Sequence, residues 1–188
     1  MRSPVVCLLV ALLAACSSSP TDSPDGRASG APAAYDEAAV RDGLAGLFAG
    51  DDPRPRDVRA GECFADRLLS DTSPEELREG GLVADDGGAA AELPPLSPDL
   101  AGTVADAQLA CIDVVDSSTR ALTAVRKGDL DAEAYGGCLR RELPRSAQRA
   151  ALVATLTGTW DDPALERLAR VQVACVAEQE DRVSRRRR

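Results

Sequence analysis

The chain has 188 residues, no His, six Cys and aromatic side chains at only 3%. Its formal net charge is −9 at neutral pH. Without His, Ser-His-Asp and Cys-His catalysis and every His-ligated zinc site are excluded, and the acidic balance argues against a nucleic-acid partner.

In chain order, Met1-Arg2-Ser3-Pro4 is a short positive segment, and Val5 to Ala15 is an apolar run of 11 residues. A bilayer-spanning helix needs about 20, so residues 1–15 are expected to be a signal peptide. The run ends in Leu13-Ala14-Ala15-Cys16. This resembles the lipobox of bacterial lipoproteins. The resemblance implies cleavage before Cys16, a diacylglyceryl thioether on its sulfur, and palmitate-type acyl chains holding the protein to the outer face of the cytoplasmic membrane. Two or three chains hold firmly where one is marginal, at about 0.8 kcal/mol per buried methylene. Loss of Arg2 with the signal moves the balance from −9 to −10.

Residues 16–34 are expected to be the lipidated Cys and a tether. Ser17 to Ala34 is rich in Ser, Pro, Gly and Asp, with no apolar periodicity. Such a segment cannot bury enough surface to fold, and as a flexible coil it reaches about 24 Å.

From Tyr35 onward the composition favours helix. The chain carries 33 Ala and 22 Leu against one Ile and two Phe, and Ala and Leu lose little rotamer freedom in a helix. The 21 Arg to one Lys, with no Asn, is read as a mark of a GC-rich genome. No strand pattern is evident. The expected fold is all-α, a small helical bundle of two similar disulfide-closed helical units. These cover residues 35–116 and 117–182, followed by a basic tail at 183–188.

The two units are suggested by ordered echoes. Gln108-Leu109-Ala110-Cys111-Ile112 matches Gln172-Val173-Ala174-Cys175-Val176, and Cys63-Phe64-x-x-x-Leu68 matches Cys138-Leu139-x-x-x-Leu143. Before each first Cys lies a short amphipathic segment ending in Gly-Asp, at Gly50-Asp51 and Gly128-Asp129. Each unit should read helix, Gly-Asp loop, Cys helix, middle helix, second Cys helix.

Within the units, Ser73-Pro74, Ser97-Pro98 and Asp162-Pro163 each pair an N-cap residue with Pro at the first helical position. Leu100, Val104, Ala107, Cys111 and Val115 should share one helical face, and Leu165, Leu168, Val171, Cys175 and Val176 another. Val83 to Pro98 is Gly, Ala and Pro rich and is expected to be a long surface loop.

Four cysteines remain beside Cys16. An even number in an exported chain suggests disulfides. Four Cys allow three pairings, and duplication selects Cys63–Cys111 with Cys138–Cys175, because each unit then closes on itself. Each pair should join a Cys near the start of one helix to a Cys near the end of another. The core is thin: Leu, Ile, Val and Phe make up 33 of the 173 residues after cleavage, near the level where disorder threatens. The bridges therefore carry weight. No Cys-x-x-Cys occurs, so neither a zinc finger nor a redox pair is expected, and no metal or other cofactor is implied.

Other motifs read as structural. Asp51-Asp52-Pro53 and Asp161-Asp162-Pro163 suit turns and caps. Asp129-x-Asp131-x-Glu133 lacks the central Gly and distal Glu of a calcium loop. Trp160, the only Trp, is expected in the core, the alternative being the aromatic anchor of a contact surface. Arg185 to Arg188 should be a solvated tail able to meet anionic headgroups.

With the lipobox, the composition and the two cysteine echoes, the chain resembles the secreted lipoproteins of actinobacteria that carry cysteine-bearing helical repeats. That resemblance implies no enzymatic activity. The expected role is a membrane-anchored structural or interaction module meeting an envelope protein. The alternative is a helical carrier of an apolar ligand or lipid.

Overall fold

The computed structural model describes residues 34–126 and 130–186, with side chains through residue 180. Among these residues eight helices form: α1 (Glu37–Ala49), α2 (Pro55–Asp71), α3 (Pro74–Glu79), α4 (Pro98–Cys111), α5 (Val114–Val125), α6 (Ala132–Glu142), α7 (Arg145–Leu156) and α8 (Pro163–Arg186). Among the described residues there is no strand, only an isolated antiparallel bridge between Val83 and Ala89. The protein is all-α.

Side chains set most helix starts. The carboxylates of Asp36, Asp113 and Asp131 accept from the backbone N–H three residues on, at 3.1, 2.9 and 3.0 Å. Ser73 and Glu76 cap reciprocally: the Ser73 N–H donates to the Glu76 carboxylate at 2.8 Å and the Glu76 N–H to the Ser73 hydroxyl at 3.2 Å. Ser97 caps α4, and Asp162 accepts from Ala164 N–H at 2.7 Å before Pro163. Each cap satisfies a donor that the first turn leaves without a partner. The caps at 73, 97 and 162, each followed by proline, therefore stand as read.

Helices α3 and α7 end in the same way. After α3, Gly81 has φ +71°, its N–H donates to Arg78 O at 3.0 Å, and Leu82 N–H donates to Leu77 O at 2.8 Å. After α7, Gly158 has φ +71°, its N–H donates to Thr155 O at 3.1 Å, and Thr159 N–H donates to Ala154 O at 2.9 Å. Both are Schellman stops, which need a residue at ease in the left-handed region.

Each half of the chain runs helix, Cys helix, middle helix, Cys helix, in the expected order. Helix α5 begins at Val114, so it runs across the expected 116/117 join. The Gly50 loop has φ +83°, while Gly128-Asp129 lies outside the described residues. Helix α8 continues through the start of the expected tail, to Arg186.

Two apolar clusters fill the interior. The first joins Val40 and Leu44 of α1, Phe64 and Leu68 of α2, Leu77 of α3 and Val104 of α4. Phe48 stacks on Phe64 with ring centroids 4.6 Å apart. The second is smaller and centres on Val115, Tyr135, Cys138, Leu139, Leu143 and Cys175. Helix α7 belongs to both. Leu152, Val153 and Leu156 pack on the first cluster and Ala147 on the second. The described residues consequently form one compact unit.

Three expectations are corrected here. The 83–98 segment is not simply a surface loop. Val83 and Leu96 within it, and Leu82 just before it, are buried, Asp36 N–H donates to Gly87 O, and Leu96 N–H donates to Leu156 O at 2.8 Å. It is a strap across the first core, drawn in by those three apolar side chains. Val115 is not on the face of α4, because that helix stops at Cys111. The positions of the cysteines also differ. Cys63, Cys138 and Cys175 sit within their helices, and only Cys111 is terminal.

Candidate functional site

The four cysteines pair as Cys63–Cys111 and Cys138–Cys175, each with Cα atoms 5.7 Å apart, inside the range a disulfide requires. The first bridge ties α2 to α4 and is half-buried. The second ties α6 to α8 within the second cluster, where Cys175 is fully buried. Cys16, the expected lipidation residue, lies outside the described residues.

Charged side chains form a net of cross-helix pairs. Arg41 on α1 donates to both oxygens of Asp66 on α2, at 2.5 and 3.1 Å. Arg149 on α7 does the same to Asp106 on α4, at 2.7 and 2.8 Å. Arg140 reaches Asp113 and Arg141 reaches Glu178. These guanidinium contacts hold the Asp66 and Asp106 carboxyls below the usual carboxylate range, and the Ser73 N–H and hydroxyl do so for Glu76. Burial pushes the Tyr135 phenol up. A general acid needs the opposite displacement in a carboxyl group.

Two depressions open on the surface. One, of about 280 Å³, lies between α6 and α8, where Arg141, Glu142, Arg170 and Glu178 line it beside Cys138. The other, of about 270 Å³, is lined by Asp113, Arg140, Arg145 and Gln148 with the apolar Ile112 to Val115 edge. Both are open and carry charged side chains. No group of three or more Cys, Asp or Glu that could hold a metal ion occurs among the described residues. Asp131 serves as the N-cap of α6.

Trp160 corrects the remaining expectation. It is 62% exposed, not core. The turn that presents it is firmly built. The Gly158 stop ends α7, the Thr157 and Thr159 hydroxyls lie 2.9 Å apart in hydrogen-bond contact, and the Asp162 cap begins α8 three residues later. Pro95 of the strap lies against Gly158.

The cross-helix arginine pairs and the exposure of Trp160 were missed from sequence. The pairs join residues 25 to 43 positions apart, so no local spacing marks them. Trp160 did carry a signal, since it falls between a Gly stop and an Asp-Pro start, where turns project outward. The chain matches no family model, no curated protein and no solved structure.

Proposed function

We propose that this chain is an extracytoplasmic lipoprotein, anchored through lipid on Cys16 at the outer face of the cytoplasmic membrane, whose helical body serves as a structural or interaction module and not as an enzyme. The observation that carries the reading is the pair of disulfides, Cys63–Cys111 and Cys138–Cys175, downstream of an apolar run ending in Leu13-Ala14-Ala15-Cys16. Persistent disulfides belong to oxidising compartments. Among the described residues no helix is long and apolar enough to cross a membrane, so the attachment would rest on lipid. The displaced carboxyls are all held in their charged form, which suits ion pairing rather than proton transfer.

A role in contact is supported by Trp160, an exposed aromatic on a built turn, the residue type most enriched at binding hot spots. The carrier reading would need an enclosed apolar cavity, and the depressions beside Cys138 and beside Ile112 are both open to solvent.

The test is fractionation and acyl labelling of the native chain beside Cys16→Ser. The native chain should enter the membrane fraction and take up label, and Cys16→Ser should do neither. Equal labelling and fractionation of both proteins would overturn the reading.

A further inference from the structure

We propose that Cys63–Cys111 is a thiol-exchange site, opened by an external dithiol, while Cys138–Cys175 stays closed. The inference goes beyond the reading of the body as a lipid-anchored module and does not depend on it.

The two bridges have equal Cα separations and unlike surroundings. Cys138 is 4% exposed and Cys175 not at all, and both lie inside the second cluster. Cys63 and Cys111 are only partly buried, and neither is among the buried residues of the first cluster. Exchange requires a thiolate to reach a sulfur, so access favours the first bridge.

Charge favours it too. The depression beside Cys138 is lined by Glu142 and Glu178, and its Arg141 already bonds both. Carboxylates there repel an incoming thiolate. Around Cys63 the signs reverse. Arg59 and Arg67 stand four residues to either side of it on α2, one turn away on the same helical face. Both are exposed and form no ion pair among the described residues. The acids closest in sequence are engaged or turned aside. Asp66 is held by Arg41 and Asp113 by Arg140, and Glu62 is rotated about 100° round α2 from Cys63.

These surroundings also give the exchange a direction. Cys111 is the last residue of α4, where the helix dipole disfavours negative charge. Cys63, between two guanidiniums, is where a departing thiolate is best stabilised. The first thiolate of the dithiol therefore attacks the Cys111 sulfur. A mixed disulfide forms on Cys111, the Sγ–Sγ bond breaks, and its electron pair leaves on Cys63. The second thiol of the reductant then attacks its own sulfur in the mixed disulfide and releases Cys111, which takes a proton as Cys63 does. The reductant is oxidised to a disulfide by two electrons, and both cysteines become thiols. Phe64, Leu68, Leu100 and Val104 still hold α2 on α4 through the first cluster, so the opened body stays folded. What is freed is the end of α4, which continues into an extended Ile112.

The test uses the full chain, in nonionic detergent where it is acylated. Dithiothreitol is added for increasing times, the free thiols are alkylated, and peptides are mapped by mass. Cys63 and Cys111 should become alkylated at least about tenfold faster than Cys138 and Cys175, with the helical circular dichroism retained. Glutathione, a monothiol, should leave its mixed disulfide on Cys111. Arg59→Gln with Arg67→Gln should slow opening about threefold. Arg59→Lys with Arg67→Lys should keep the native rate, as should Arg78→Gln with Arg167→Gln, which removes the same charge from α3 and α8. Both bridges opening together, neither opening without denaturant, glutathione found on Cys63, or Arg59→Gln with Arg67→Gln matching the native rate would overturn the proposal. None of these outcomes bears on the anchor, which fractionation of Cys16→Ser tests separately.

Discussion

Arg149 on α7 grips both carboxylate oxygens of Asp106 on α4, 43 residues earlier in the chain, at 2.7 and 2.8 Å. The pair sits over the place where the second half of the chain packs onto the first. Beneath it Leu152, Val153 and Leu156 enter the first apolar cluster. The middle helix of the second half therefore completes the core of the first half. The two halves therefore do not stand apart.

The pair sets a pH dependence. Arg149 holds the Asp106 carboxyl below the usual carboxylate range, so the group is more acidic folded than unfolded. Its contribution is fully present above the unfolded pKa, near 4, and is lost as pH falls through the lower folded value. Asp66 and Glu76 are displaced in the same direction, by Arg41 and by Ser73. The melting temperature should be flat from neutral pH down to about 5 and then fall. Both Arg149 and Asp106 are well exposed, so Asp106→Asn should cost only about 0.2–1 kcal/mol at neutral pH. It should also flatten the acid limb, and thermal melts of both proteins from pH 7 to 3 check this.

The two Schellman glycines should respond unequally to alanine. Both have φ +71°, where a Cβ costs about 1–2 kcal/mol. At Gly158 the added Cβ would lie 3.8 Å from Pro95, an ordinary contact, while at Gly81 it would lie 3.1 Å from Pro94. Gly81→Ala should therefore lose more stability than Gly158→Ala in urea unfolding. Equal losses would mean that the strap yields at Pro94.

Local chemistry made much of the fold legible. Ser73-Pro74, Ser97-Pro98 and Asp162-Pro163 start α3, α4 and α8 because caps and prolines act within one turn of chain. The cysteine pairing was legible because order in the sequence echoes order in the fold. What stayed hidden depends on distant partners. The 82–96 strap carries few apolar residues, and only the groove it crosses reveals that Leu82 and Leu96 are buried. Val125, the last residue of α5, is 57% exposed. The placement of α7 on α4 likewise has no mark in local spacing.

The exposure of Trp160 can be measured directly. Under dilute, high-salt conditions its emission should be that of a solvated indole, freely quenched by acrylamide. Trp160→Ala should change stability by no more than about 0.5 kcal/mol, as expected of a surface position. A core Trp would lose about 3–5 kcal/mol on the same change. Blue emission with a large stability loss would return Trp160 to the interior.

The two disulfides should differ in weight. In a chain-entropy account, loops of 48 and 37 residues give similar figures, each about 4 kcal/mol. Packing separates them. The second cluster has six buried residues among those described, two of them Cys138 and Cys175, whereas the first has fifteen and includes neither Cys63 nor Cys111 among them. Removing the second bridge takes away both the constraint and a third of the buried cluster. Cys138→Ala with Cys175→Ala should therefore lose stability near the upper end of the 2–5 kcal/mol typical of native bridges, about 5 kcal/mol. Cys63→Ala with Cys111→Ala should lose about 2–3 kcal/mol. Urea unfolding of each double variant gives the totals. Hydrogen exchange should show α6 and α8 opening first when the second bridge is gone, with α1 and α2 still protected by the first cluster. Equal losses, or loss of protection in α1 before α6, would show that the first core leans on the second through α7 more than the packing of Leu152, Val153 and Leu156 implies.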